Sequence, residues 1–191
     1  MTRLRFGGDN LVWPLLAGLA LLAALYFSTV SGYLLFHSVA EIFAIVISAS
    51  VFTVAWNSRQ VSEQHYLLFV GMALLAASAL NILHLLSYQG MGVFPDHDAD
   101  LPTQLWLARR YVESVALLSA PLFLRRRFNP TGALLGFAAV TAALIASIFL
   151  GAFPVAYVTG AGLTLFKVVS EFIIAGFFLL GALWLYFERR E

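Results

Sequence analysis

Long apolar runs, separated by short polar breaks, dominate the chain. A bilayer core of about 30 Å is crossed by roughly 20 apolar residues in a helix. Six segments meet this requirement, and they cover residues 11–31, 34–57, 66–88, 103–124, 131–150 and 163–187. The pattern predicts an all-α fold: a polytopic integral membrane helix bundle of about six transmembrane helices, which forms a single domain over residues 1–191.

Turn-forming residues mark each break between these segments. They are Ser31-Gly32, Asn57-Ser58-Arg59, Gly90-Met91-Gly92, Asn129-Pro130 and the stretch from Gly160 to Gly162. The first break carries the weakest signal, because the apolar character hardly drops there. The first segment is longer than the apolar run of a signal peptide, so we expect a retained anchor helix.

The distribution of basic residues predicts how the chain is oriented in the membrane. Eight of the eleven bases lie before the first segment or after an even-numbered one, namely Arg3, Arg5, Arg59, Arg125, Arg126, Arg127, Arg189 and Arg190. The third connection carries Asp96, Asp98 and Asp100 and no base. Positive charge marks the cytoplasmic side. Both termini are therefore predicted to be cytoplasmic, with the N-terminus inside.

Composition excludes several classes of protein. The chain is 61% hydrophobic and only 11% charged, which lies outside the range of soluble globular domains. It has no cysteine, so disulfides, thiolate nucleophiles and thiolate metal ligands are excluded. It also lacks the basic tract that a nucleic-acid partner would require.

Ionisable residues recur at matching positions inside the apolar segments. A base is followed by a glutamate four residues later in His37–Glu41, Arg109–Glu113 and Lys167–Glu171, and each pair lies near the start of an even-numbered segment. Such residues cost on the order of 2.5–3.5 kcal/mol each in a bilayer and almost always face a bundle interior or a wet cavity. The topology predicts a polar pocket in the outer half of the bundle, lined by His37, Glu41, Asn81, His84, Trp106, Arg109, Arg110, Glu113, Lys167 and Glu171.

The same residues allow other interpretations. The pairs can simply neutralise each other and fix helix packing. Trp106 can cap the pocket or anchor the helix at the membrane interface. His65, His97 and the acidic run from Asp96 to Asp100 are interpreted as solvated surface residues.

Two histidines and a carboxylate also raise the question of a cofactor. His37, Glu41 and His84 offer the ligand types of a zinc-like ion, and two histidines on neighbouring helices can ligate a haem iron. Neither pattern is specific, and the nearby Arg and Lys side chains disfavour a cation. A metal-dependent intramembrane hydrolase and a haem-binding redox sensor are the alternative functions.

Four stretches resemble one known family. Phe36–Glu41, Asn81–Met91, Gln104–Ser114 and Leu163–Glu171 are similar to the third class of bacterial membrane-associated sensor domains, the MASE group. Members of this family lie at the N-terminus of histidine kinases, diguanylate cyclases and related signalling proteins. The family often has an aspartate where this chain has Asn81, which implies a less acidic pocket here.

The resemblance implies a non-catalytic sensory input domain in the bacterial inner membrane, acting in two-component or cyclic-di-GMP signalling. Its partners would be the lipid bilayer, a small-molecule ligand that is quinone-like or lipid-like, a cytoplasmic output domain in a longer protein, and a second copy in a homodimer. The glutamates would accept hydrogen bonds from the ligand, and the Arg and Lys side chains would hold an anionic or carbonyl group. The last helix would transmit the signal.

Overall fold

The computed structural model describes residues 12–61 and 65–188. Six α-helices occupy these residues, as the sequence predicted: α1 (Val12–Ser31), α2 (Tyr33–Ser58), α3 (His65–Ser87), α4 (Asp100–Ser119), α5 (Pro130–Phe149) and α6 (Leu165–Glu188). A short 3-10 helix, Ala120–Leu124, extends α4 to the predicted end of its segment. The all-α membrane fold is confirmed.

Among the described helices, all but α4 are long and apolar enough to cross a membrane. α4 differs because it carries both members of the Arg109–Glu113 pair together with Asp100 and Arg110. These charges lower its hydropathy although nine of its 20 residues are buried. The most polar predicted segment is therefore one of the most enclosed.

The chain forms two compact units, residues 1–43 and 44–191. The described part of the first unit contains α1 and the first turns of α2, which Gly32 separates with a φ of 130°. Since only glycine adopts such a φ readily, the weakest predicted break is real. The assignment of a single domain over residues 1–191 stays a prediction.

In the second unit, α4 packs against both α3 and α6, and α5 packs against α3. The core between them is built around Leu80 on α3 and Leu105 and Ala108 on α4, none of which is exposed. A second apolar cluster joins Ala55, near the end of α2, to Met72 on α3. The first cluster packs α4 against α3, and the second packs the end of α2 against α3.

Glycine allows α4 and α6 to approach closely in their later turns. A Cβ atom at Gly181 would lie only 2.9 Å from the carbonyl oxygen of Leu117. No larger residue fits there without moving one backbone away from the other. The spacing between α4 and α6 therefore depends on Gly181.

The connection between α5 and α6 contains an antiparallel hairpin of β1 (Tyr157–Val158) and β2 (Gly162–Leu163). The sequence predicted the turn but not the strands. Gly160 and Gly162 both have positive φ, at 85° and 89°, as a tight reversal requires.

Some predictions fall on residues that the structure does not describe. Arg3, Arg5, Arg189 and Arg190 lie outside the described residues. The orientation argument uses all four, so the cytoplasmic placement of the termini stays a prediction.

Candidate functional site

A polar cluster lies where α3, α4 and α6 pack together in the second unit. Its centre is the carboxylate of Glu113, which both arginines of α4 approach. Arg109 Nε donates a hydrogen bond to Glu113 Oε1 at 3.0 Å, and Arg110 Nη1 donates to Glu113 Oε2 at 2.9 Å. Spacings of four and three residues bring these side chains to one helix face.

Asn81 connects this group to α3. Its side chain is only 2% exposed, and its Oδ1 accepts a hydrogen bond from Arg109 Nη1. The amide supplies a neutral acceptor to the guanidinium. Asn81 therefore joins α3 to α4 through polar chemistry inside an apolar bundle.

A contact between Lys167 on α6 and Trp106 on α4 connects α6 to the polar cluster. Lys167 Nζ donates to Glu171 Oε1 at 2.5 Å and lies 3.7 Å from the centroid of the Trp106 ring. With 5% of its surface exposed, Lys167 gains from a cation–π contact that is largely shielded from water. Trp106 thus contacts the cluster directly, and its role as a cap of a ligand pocket stays a prediction.

Arg110 lies between two aromatic rings. Its Cζ is 5.7 Å from the centroid of Trp106 and 4.7 Å from that of Phe178. Its Nε is buried and has no hydrogen-bond partner among the described residues, although the side chain as a whole is 33% exposed. An acceptor on a ligand would satisfy this donor. Phe178 was not predicted, because one phenylalanine in an apolar run carries no signal.

The start of α6 is fixed by the hairpin that precedes it. Thr164 Oγ1 accepts a hydrogen bond from the backbone N–H of Lys167 at 3.2 Å and donates to the carbonyl of Val155 at 2.9 Å. A threonine in this position caps the helix by satisfying one of its first N–H groups. The loop between α5 and α6 therefore sets the position of Lys167.

His84 lies near the end of α3 and is buried. Its Nδ1 is 2.8 Å from the carbonyl oxygen of Pro102 on α4. A carbonyl can only accept, so Nδ1 carries the proton in this contact. His84 joins the end of α3 to the beginning of α4.

His37 and Glu41 lie one turn apart on α2 in the first unit, and both are half-buried. The His37 ring stacks on Tyr33 with a centroid distance of 5.9 Å. His84 belongs to the second unit. A joint metal or haem site of His37, Glu41 and His84 therefore stays a prediction from the sequence.

Asp100 has a role that the sequence interpretation missed. Its Oδ1 accepts backbone hydrogen bonds from Ala156 at 2.7 Å and Tyr157 at 2.8 Å, and its Oδ2 accepts one from Gln104 Nε2 at 2.8 Å. The interpretation of the acidic run as a solvated turn is wrong for this residue. Its spacing of four from Gln104 was the available signal. The carboxylate fastens the hairpin to the first turn of α4.

Two histidines were interpreted as solvated. For His65 this is wrong, because the residue is half-buried and its ring meets Phe128 edge-on with a centroid distance of 5.5 Å. His97 is exposed, as expected.

Comparison with known proteins gives one match. A family model described as a membrane-associated sensor domain, MASE3, matches residues 28–191. Every predicted site residue lies inside this range. No curated protein and no solved structure matches the chain. Because the family model covers most of its length, the chain belongs to the MASE3 family of membrane-associated sensor domains.

Proposed function

We propose that the chain is the sensory input domain of a bacterial signal-transduction protein, and that the polar cluster on α3, α4 and α6 receives a small ligand. Membership of a family of sensor domains supports the sensory role and a non-catalytic one. The cluster offers hydrogen-bond donors at a fixed place inside an apolar bundle. Its ligand would carry an anionic or carbonyl group on a body that is quinone-like or lipid-like.

The observation that carries the proposal is the environment of Arg110. Its guanidinium lies against Trp106 and Phe178, keeps one buried donor without an acceptor in the described part of the chain, and remains one-third exposed. A buried donor without an acceptor costs free energy, which an incoming carboxylate or carbonyl oxygen would recover. The flanking rings would contact an apolar ligand body.

Transmission would pass through the packing of α4 and α6. Arg110 and Glu113 belong to α4, whereas Lys167 and Glu171 belong to α6, and Trp106 contacts cations from both helices. A ligand shifts the equilibrium between two packings only by its differential affinity for them. Binding beside Trp106 would change how α6 lies on α4, and α6 would carry the change to an output domain.

The wider setting is proposed on the same basis. The N-terminus and the output domain would lie on the cytoplasmic side of the bacterial inner membrane. The output would be a histidine kinase or a diguanylate cyclase, and the protein would act as a homodimer. Asn81 and His84 would be further ligand contacts of the cluster, and a role of His37 and Glu41 in ligand binding stays a prediction from the sequence.

Native mass spectrometry and absorption spectroscopy of the purified domain test this function. We expect the wild-type protein to retain a small molecule that the Arg110→Lys variant loses, because lysine keeps the charge but lacks the Nε donor. Arg125→Lys is the matched control, since this arginine is 62% exposed and pairs with Glu188 instead.

Equal retention by wild type and Arg110→Lys would contradict the proposal. A haem absorption band, or stoichiometric zinc or iron in the wild-type protein, would favour the alternative functions instead.

A further inference from the structure

A groove lies between α3 and α5, on a different side of α3 from the polar cluster. Its volume is about 310 Å³. The lining side chains are apolar with one exception, Thr141, and they include Leu75 and Ala79 on α3 and Ala138 and Ala142 on α5. Both helices are long and apolar enough to span the membrane, so the groove opens toward hydrocarbon rather than water.

Thr141 is the unusual residue in this lining. Only 7% of its surface is exposed, and its Oγ1 has no hydrogen-bond partner in the part of the chain that the structure describes. Helical serines and threonines commonly donate to a carbonyl in the preceding turn. Ser78 does so at 2.8 Å on the facing helix, and Ser147 does so at 2.7 Å on α5. Thr141 keeps an unused donor beside an apolar groove.

The depth of Thr141 in the membrane limits which kinds of molecule can bind in the groove. Thr141 is the twelfth residue of the 20-residue helix α5, about 16 Å from its start at a rise of 1.5 Å per residue. The hydroxyl therefore lies near the middle of the span, far from the level of lipid headgroups. An acceptor that reaches it must belong to a molecule soluble in the bilayer core.

We propose that this groove is a second ligand site, which binds a quinone-class molecule. A ring carbonyl of the quinone accepts a hydrogen bond from the Thr141 hydroxyl. A quinone combines a flat apolar ring, an apolar tail and carbonyl oxygens, and it partitions into the hydrocarbon. Its ring and the first part of its tail match the groove in size and polarity. An ordinary acyl chain would fill the same space and leave the hydroxyl without an acceptor.

The groove is separate from the polar cluster. Asn81, which contacts Arg109, follows Ala79 by two residues, and this spacing places the two on nearly opposite faces of α3. Leu80 lies between them and is fully buried. Loss of binding at one site therefore need not impair the other.

Photolabelling tests the proposal. The purified domain is labelled with a decylubiquinone analogue that carries a diazirine in its tail, and labelled peptides are identified by mass spectrometry. Labelling is competed with decylubiquinone and with decylbenzene, which has the same tail and no carbonyl. We expect labels on α3 and α5 at the groove, and much stronger competition by decylubiquinone.

Three variants test whether the quinone contacts Thr141. Thr141→Val keeps the shape and removes the donor, so the affinity for decylubiquinone should fall about fivefold, while competition by decylbenzene stays unchanged. Ala142→Leu should abolish labelling at the groove by filling it. Ser78→Ala is the matched control and should bind as wild type does, because its hydroxyl already bonds to its own helix.

The thermal unfolding midpoint of each variant separates lost binding from lost folding. Thr141→Val should unfold no lower than wild type, since it removes a buried unsatisfied group. Unchanged quinone affinity at the groove in Thr141→Val, equal competition by decylbenzene, or an absence of labels at the groove would each overturn the proposal. Arg110→Lys should be labelled at the groove as wild type is, which distinguishes failure at this site from failure of the proposed sensory cluster.

Discussion

Helices α4 and α5 have the same length, 20 residues, and opposite characters. α4 is the more polar of the two by composition, yet nine of its residues are buried. α5 has no charged residue and buries only Thr141 and Ile148. In a soluble protein the apolar helix would be the buried one.

The difference shows which solvent surrounds the molecule. An apolar helix loses nothing by facing hydrocarbon, whereas a charged helix must be enclosed by partners. α4 finds these partners on two neighbours, because Asn81 of α3 accepts a hydrogen bond from Arg109 and Phe178 of α6 packs against Arg110. The charges that make α4 too polar for a typical membrane span also form the polar contacts between α4 and its neighbours in the second unit.

The largest effect is expected when α4 loses the carboxylate of Glu113, which accepts hydrogen bonds from both of its arginines. In Glu113→Leu, both arginines lose the carboxylate that accepts their hydrogen bonds, and Arg109, only 14% exposed, keeps its charge inside the bundle. Removing one partner of a buried ionic group destabilises by about 3–5 kcal/mol. The free energy of unfolding, measured in mixed micelles, should fall by this amount.

Glu188→Leu is the control for that variant. Its partner Arg125 is 62% exposed, and an ion pair of this kind contributes about 1 kcal/mol or less. A similar loss in the two variants would show that the Glu113 group is not enclosed.

The reverse experiment places a charge on α5. Val140 lies at the middle of this helix and is 53% exposed, so Val140→Arg would direct a guanidinium into lipid. The expected cost is about 2.5–3.5 kcal/mol on insertion scales. The fraction of chains inserted in membranes measures it, and Val140→Leu is the control. Full insertion of Val140→Arg would show that α5 is not a lipid-facing helix.

A smaller effect is expected where α4 meets α6. Gly181→Ala would push a Cβ against the Leu117 carbonyl and should cost about 1–3 kcal/mol. On the same helix, Gly176→Ala meets nothing within 4 Å and should be neutral or slightly stabilising. Thermal unfolding of both variants tests this contrast. Equal midpoints would contradict the close approach of the two helices.

The smallest effect concerns the start of α5. Asn129 accepts a hydrogen bond from the backbone N–H of Gly132 at 3.1 Å and so caps the helix. Asn129→Ala should cost about 1 kcal/mol. Hydrogen exchange in the first turn of α5 should accelerate, and exchange in α4 should not. An unchanged rate at Gly132 would argue against the cap.

The contrast between α4 and α5 also explains how much of the structure was predictable. Hydropathy and turn residues located every helix to within a few residues, because a membrane span has a fixed length and Gly32 and Asn129-Pro130 have fixed backbone preferences. Matching depth predicted that Asn81 and Arg109 lie at one level of the bundle, and their side chains are hydrogen-bonded. Spacing along one helix placed Arg109 and Arg110 beside Glu113.

Contacts that depend on packing between elements were not predictable. Phe178 contacts Arg110 because of how α6 lies on α4, and its sequence neighbours resemble any apolar run. The hydrogen bonds from Ala156 and Tyr157 to Asp100 depend on where the hairpin folds back. A single sequence predicts contacts within one helix well, because they follow the helical period. It does not predict which residues of different helices and loops lie side by side.

The central claim is that the polar cluster receives a signal rather than only holding helices together. The most direct measurement is the signalling output of the proposed sensor protein, with Lys167→Leu and Glu171→Leu combined. Replacing a whole ion pair by apolar residues often leaves stability unchanged, so the unfolding midpoint should stay within about 3 °C of wild type. The account predicts that this folded variant no longer responds to the stimulus, whereas a full response would contradict it.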